Sequence, residues 1–156
     1  MTSPVAAILG REIEQVARFI AILNEEQDAL KRGDVDALPD LISRKTPLVE
    51  SLNTLEGERL LALNLPAAES GRGAMDIWLA QNGNDSLATV NWKKLLKFAN
   101  EAKTLHELNA QLVDLHLRQT SEILSILTAP PEAATSLYGS SGQPLPATGS
   151  RIVDSA

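Results

Sequence analysis

The sequence predicts an all-α protein: an elongated antiparallel bundle of three long, coiled-coil-like helices, with one short extra helix and a flexible C-terminal tail. Three observations carry this reading. Apolar residues recur by steps of three and four through three long stretches, the spacing that keeps one helix face on a partner. Apolar residues make up 44% of the chain, almost all of them Leu, Ala, Ile and Val. The aromatics are only Phe19, Trp78, Trp92, Phe98 and Tyr138, a composition that suits a bundle better than a sandwich or barrel.

Ser3-Pro4 opens the first helix, with a hydroxyl for the N-cap and a proline where the missing N–H costs nothing. Leu9, Ile13, Val16, Ile20, Leu23, Gln27 and Leu30 then form its stripe, and Gly33 ends it as a left-handed residue. About 27 residues at 1.5 Å each make a rod of roughly 40 Å. Asp36 is expected to cap the second helix, which places Pro39 in its first turn. That stripe runs Leu38, Leu41, Lys45, Leu48, Leu52 and Leu55, on to Leu61 or Ala62. Pro47 predicts a kink or break near residues 43–46, and Gly57 weakens the helix further on. Lys45 can reach water by its long stem or pair with a carboxylate, and the solvated reading is the expectation.

Between residues 64 and 86 the pattern loosens into a glycine-rich loop, a short helix over residues 74–81 and an Asn82-Gly83 stop. Trp78 is expected to cap the end of the bundle. The third long helix starts between Ser86 and Trp92 and runs to about Thr128. Its expected inward face is Trp92, Leu95, Ala99, Ala102, Leu105, Leu108, Leu112, Leu115, Gln119, Ile123 and Ile126. Pro130-Pro131 stops it, because a residue before proline is pushed out of helical dihedrals. Residues 1–129 are thus read as the helical bundle domain. Residues 130–156, rich in Pro, Gly and Ser, are read as a tail with too little apolar mass to order itself.

The formal charge of −6 argues against a nucleic-acid surface, which needs clustered Lys and Arg. The chain has no cysteine, so disulfides and thiolate metal sites are excluded. The N-terminus lacks a basic lead-in and a sustained apolar region, and no window matches a membrane span, so a cytoplasmic protein without membrane insertion is expected. Carboxylate-bridged metal sites in bundles use Glu and His three apart, yet Lys103 precedes His106 at that distance and Val113 precedes His116. "GRG" and "GSSG" lack the Lys-Ser/Thr of a phosphate loop, and no serine sits in a strand–turn–helix elbow. No enzyme, cofactor or metal is expected.

Surface remains. A three-helix rod leaves a groove where a fourth helix would lie. The stretch "LNAQLVDLHLRQTSEILSIL" is apolar over more than one narrow stripe, through Leu112, Val113, Leu115, Leu117, Ile123, Leu124, Ile126 and Leu127. Either the other two helices cover these residues, or they bind an amphipathic partner helix in the groove.

Three long helices, a tryptophan near the start of the last, Leu108-Asn109 within it, a proline stop, and then Leu137-Tyr138-Gly139-Ser140-Ser141-Gly142-Gln143 resemble the FlgN-type flagellar export chaperones. The likeness in layout covers nearly the full chain, and the Leu-Tyr-Gly motif is its specific part. Where such proteins often continue with Asn-Gly, this chain has Leu112-Val113, so no polar role is carried to that turn. Asn109 itself suits a buried amide that sets register. The resemblance implies a cytosolic chaperone that binds the amphipathic terminal helices of hook–filament junction (hook-associated) proteins. It would keep them soluble and unassembled and deliver them to the export gate of the flagellar type III secretion system. By that analogy Leu112, Val113, Leu115, Ile123, Leu124, Ile126 and Leu127 bind the client. Leu137 and Tyr138 then dock on the cytoplasmic domain of the export gate, with Gly139 and Gly142 letting the tail turn. The alternative is a coiled-coil adaptor that self-associates through the same groove.

Overall fold

The computed structural model describes residues 1–66 and 71–130, and every regular element among them is helical. Helix α1 spans Pro4–Arg32, α2 Leu38–Leu63, α3 Gly71–Gln81 and α4 Ser86–Thr128. By packing the chain divides into two compact units, Met1–Asp114 and Leu115–Ala156. No helix among the described residues is long and apolar enough to cross a membrane.

The ends of α1 follow the local chemistry. The Ser3 hydroxyl accepts the Ala6 N–H at 3.0 Å, and Gly33 sits in the left-handed region at φ 69°, ψ 22°. There the Gly33 amide bonds Leu30 O and the Asp34 amide bonds Ala29 O, which satisfies carbonyls the helix would otherwise leave open. The start of α2 differs from expectation. Asp36 does not cap it; Val35–Ala37 form a 3₁₀ turn, and Ala37 precedes α2 without a side-chain bond. The reason is geometric: the turn already lies in helical dihedrals and its Val35 carbonyl takes the Leu38 N–H, so no carboxylate is needed there. Pro39 still falls in the first turn.

Helix α2 also continues through Pro47 without a break. The carbonyl that Pro47 leaves without an amide belongs to Ser43, an exposed residue, where water can serve it. Asn64 ends α2 in the left-handed region at φ 50°.

Four ion pairs fix how α1 and α2 pack within the first unit. Arg11 pairs with Glu58 and Glu12 with Arg59; further along, Glu25 pairs with Arg44 and Glu26 with Lys45. As the α1 number rises the α2 number falls, so the two helices are antiparallel. Each rung has an outer pair open to solvent and an inner pair shielded from it. Fourteen residues, two heptads, separate the rungs on both helices, so Pro47 shifts nothing between them. Lys45 therefore does not simply reach water. Its side chain is 18% exposed and bonded to Glu26, because the stripe turns it toward a carboxylate on the facing helix.

Helix α4 runs in the same direction as α1: Asn91 Nδ2 bonds Ala6 O and Asn109 Nδ2 bonds Leu23 O. The main core joins Val5, Leu9, Ile13, Val16 and Leu23 to Leu63, Met75, Trp92 and Leu95, with Trp78 partly buried against it. A smaller cluster holds Ile22, Ala29 and Leu41.

On α4 the buried positions are Ala88, Trp92, Leu95, Ala102 and Asn109, four of them one heptad apart. The expected inward face is only partly right. Leu105 and Leu112 are half-buried, whereas Ala99, Leu108, Leu115, Gln119, Ile123 and Ile126 are exposed. A helix of 43 residues cannot be matched along its length by partners of 29 and 26 residues.

Candidate functional site

Two polar layers cross the helical unit. In the first, Arg59 Nε lies 3.2 and 3.0 Å from the two carboxylate oxygens of Glu12, and its guanidinium stands 5.1 Å from the centre of the Trp92 ring. Both charged side chains are nearly sealed from solvent. Burial pushes the Glu12 carboxyl above its ordinary value, against the pull of Arg59. In the second layer Asn109, 1% exposed, donates to Leu23 O at 2.9 Å and to Glu26 Oε1 at 3.1 Å, while Lys45 holds the other oxygen of Glu26. Asn109 is thus the buried amide expected from the sequence. Both layers consume their own charges, so neither presents a reactive group.

At the N-terminal end of α4, Asp85 Oδ1 accepts the Ala88 N–H at 2.9 Å. The Ser3 hydroxyl, foremost, and the Ala88 and Leu87 amides hold Asp85 below the usual carboxylate value. Asp85 was missed in the sequence, although "Asp-Ser-Leu-Ala" three residues before a buried alanine is an N-cap signal. Among the described residues no three His, Asp or Glu side chains converge as metal ligands would.

What the helical unit does offer is an open apolar groove between α2 and α4. Two adjoining cavities of about 320 Å³ each share Ile42, Lys45 and His106. Val49 and the Phe19 ring line one, and Leu38 and Val113 line the other. Sequence reasoning missed the α2 wall. Its signal was the heptad step Val35, Ile42, Val49, which lies off the buried stripe; all three remain exposed.

Of the seven expected client-contact residues, Leu112 is half-buried and Val113 lines this groove at 40% exposure. Leu115, Ile123, Leu124, Ile126 and Leu127 belong to the second unit and are 49–75% exposed, as is Leu117 beside them. Between Val113 and Thr128 every Leu, Ile and Val on α4 faces solvent. Six such residues on three and a half turns are more apolar surface than a solvated helix face normally carries. Leu137, Tyr138, Gly139 and Gly142 lie outside the described residues.

A family model described as FlgN protein matches residues 1–146 of the chain. No curated protein and no solved structure matches it.

Proposed function

The chain belongs to the FlgN family of flagellar export chaperones, and from that premise we propose that it is a cytoplasmic escort for hook–filament junction proteins. It binds their amphipathic terminal helices, keeps them unassembled, and delivers them to the cytoplasmic domain of the export gate of the type III secretion system. The observation that carries the reading is the exposed apolar half of α4, Leu115 to Leu127. Leu112 and Val113, the latter in the α2–α4 groove, extend the client-contact set.

Full burial of a Leu or Ile side chain gains about 1.5–3 kcal/mol. Scaled by their exposures, the six side chains from Leu115 to Leu127 would gain about 6–11 kcal/mol when covered. Association itself costs about 4–15 kcal/mol, so the balance favours a reversible complex, as a chaperone that must release its client requires.

We assign the delivery step to the tail, residues 130–156. Leu137 and Tyr138 anchor to the gate, with Gly139 and Gly142 as turning points. Burying the pair gains roughly 3–6 kcal/mol, while each ordered tail residue costs about 1–2 kcal/mol, so this dock is weak as well.

Calorimetry of the purified chain with a terminal helical fragment of a hook-associated protein should give a saturable, stoichiometric complex. Absence of binding with the fragment helical and in excess refutes the reading. Sedimentation of the chain alone addresses the adaptor alternative, which requires a permanent higher-order assembly. Replacing Tyr138 by Ala should lower secretion of the client and leave helical content and client affinity unchanged. Loss of folding in that variant would place the ring in the core instead.

A further inference from the structure

We infer that the client presents two helices side by side to the C-terminal half of α4, not one. This rests on the chaperone reading above and specifies the shape of its partner. At 100° per residue, Leu115, Ile123 and Ile126 fall within an arc of about 80°, and Leu117, Leu124 and Leu127 within another of about 80°. The arcs are centred about 120° apart, and together they span about 200° of the helix circumference. Asp114, Arg118, Ser121, Glu122 and Ser125 occupy the remaining face. One packed helix covers an apolar arc of about 100°, so it cannot cover the roughly 200° over which the six side chains spread.

The rows are also equal. Exposures are 49, 57 and 73% for the first and 64, 55 and 75% for the second. A single client helix would leave half of the apolar surface in water. Three side chains over 13 residues also make too small a contact for a stable pairing of two copies through one row. Two helices carried by one client incur the loss of translational freedom once and cover both rows in a single event. Gln119 and Thr120 interrupt the two rows at the same level, so each neighbour meets one polar position at a matching height, a device that fixes register in helical seams.

The chain has no cysteine, so any thiol introduced is unique. Ile126→Cys reports on the first row and Leu124→Cys on the second, about 160° apart around the helix and so beyond the reach of one neighbour. Each variant is labelled with a maleimide, free and in complex with a full-length hook-associated protein, complex formation being followed by sedimentation. Two bound helices slow labelling at least tenfold at both positions. Slowing at only one position in a formed complex overturns the inference and leaves the chaperone reading intact. Slowing at one position in the free chain that grows with its concentration also overturns it, by making the second neighbour another copy. If no candidate forms a complex, the chaperone reading fails and this inference falls with it.

Discussion

Replacing Arg59 by Met strands the Glu12 carboxylate in the first polar layer, and the size of the penalty can be worked out. Glu12 is 3% exposed and Arg59 is its partner across the helix pair. Losing one member of a buried ion pair costs about 3–5 kcal/mol. The carboxylate has an escape, which is to take up a proton. From an ordinary value of 4.5, protonation at pH 7 costs about 3.4 kcal/mol, and at pH 5 only about 0.7. Glu12 is already raised in the native protein, so part of this cost is present before the substitution. The expected loss at pH 7 is about 2–4 kcal/mol, including the contact with Trp92.

The pH dependence has a definite sign. A raised carboxyl binds its proton more tightly in the folded state, so its cost is absent below the unfolded value and grows as pH rises through the folded one. Removing Arg59 raises Glu12 further, so the deficit relative to the parent should shrink as pH falls from 7 to 5. Urea unfolding followed by far-UV circular dichroism at both pH values measures it. Glu12→Met with Arg59→Met should regain most of the loss, since Arg59 Nη1 has no hydrogen-bond partner in the native packing. A single-variant loss below about 1 kcal/mol at pH 7, or a deficit that does not shrink at pH 5, refutes the reasoning.

Asn109→Ala removes two buried hydrogen bonds and should cost about 1–3 kcal/mol in urea unfolding. Asp85→Ala should cost about 0.5–2 kcal/mol at pH 7. Because the folded Asp85 carboxyl lies below its ordinary value of 3.8, its contribution is present above that pH and disappears as pH falls through the folded value. Parent and variant should therefore converge in strong acid, as acid titrations of stability will show. Ile126→Ser with Leu127→Ser removes side chains 73 and 75% exposed. Unfolding should stay within about 0.5 kcal/mol of the parent, while calorimetry shows client affinity down by roughly thirty- to several-hundred-fold, the counterpart of about 2–4 kcal/mol.

The sequence disclosed most where the deciding groups are neighbours. Ser3-Pro4 and Gly33 fix both ends of α1 through bonds that reach only three to five residues, and the stripe from Leu9 to Leu30 stands as read. Lys45 was misjudged because its partner, Glu26, is 19 residues away on another helix. The α4 stripe continues in the sequence past Asn109, yet beyond the half-buried Leu112 it stands exposed. Periodicity records that a face is apolar and says nothing of whether the chain itself supplies the cover. The groove wall at Ile42 and Val49 was hidden for the same reason: a second heptad row reads as noise until its neighbour is known to stand apart.

The alternation of charge along the α1–α2 ladder has a consequence for folding fidelity. Suppose the hairpin mis-threads by one rung. The shielded pairs would not object, because Glu12 meeting Lys45, or Glu26 meeting Arg59, is still acid against base. The solvent-facing pairs would: Arg11 would confront Arg44 in one direction, and Glu25 would confront Glu58 in the other. Each clash is small at the surface, but it is absent only in the correct threading. The outer charges thus act as a proofreading step for an offset that the inner ones are blind to.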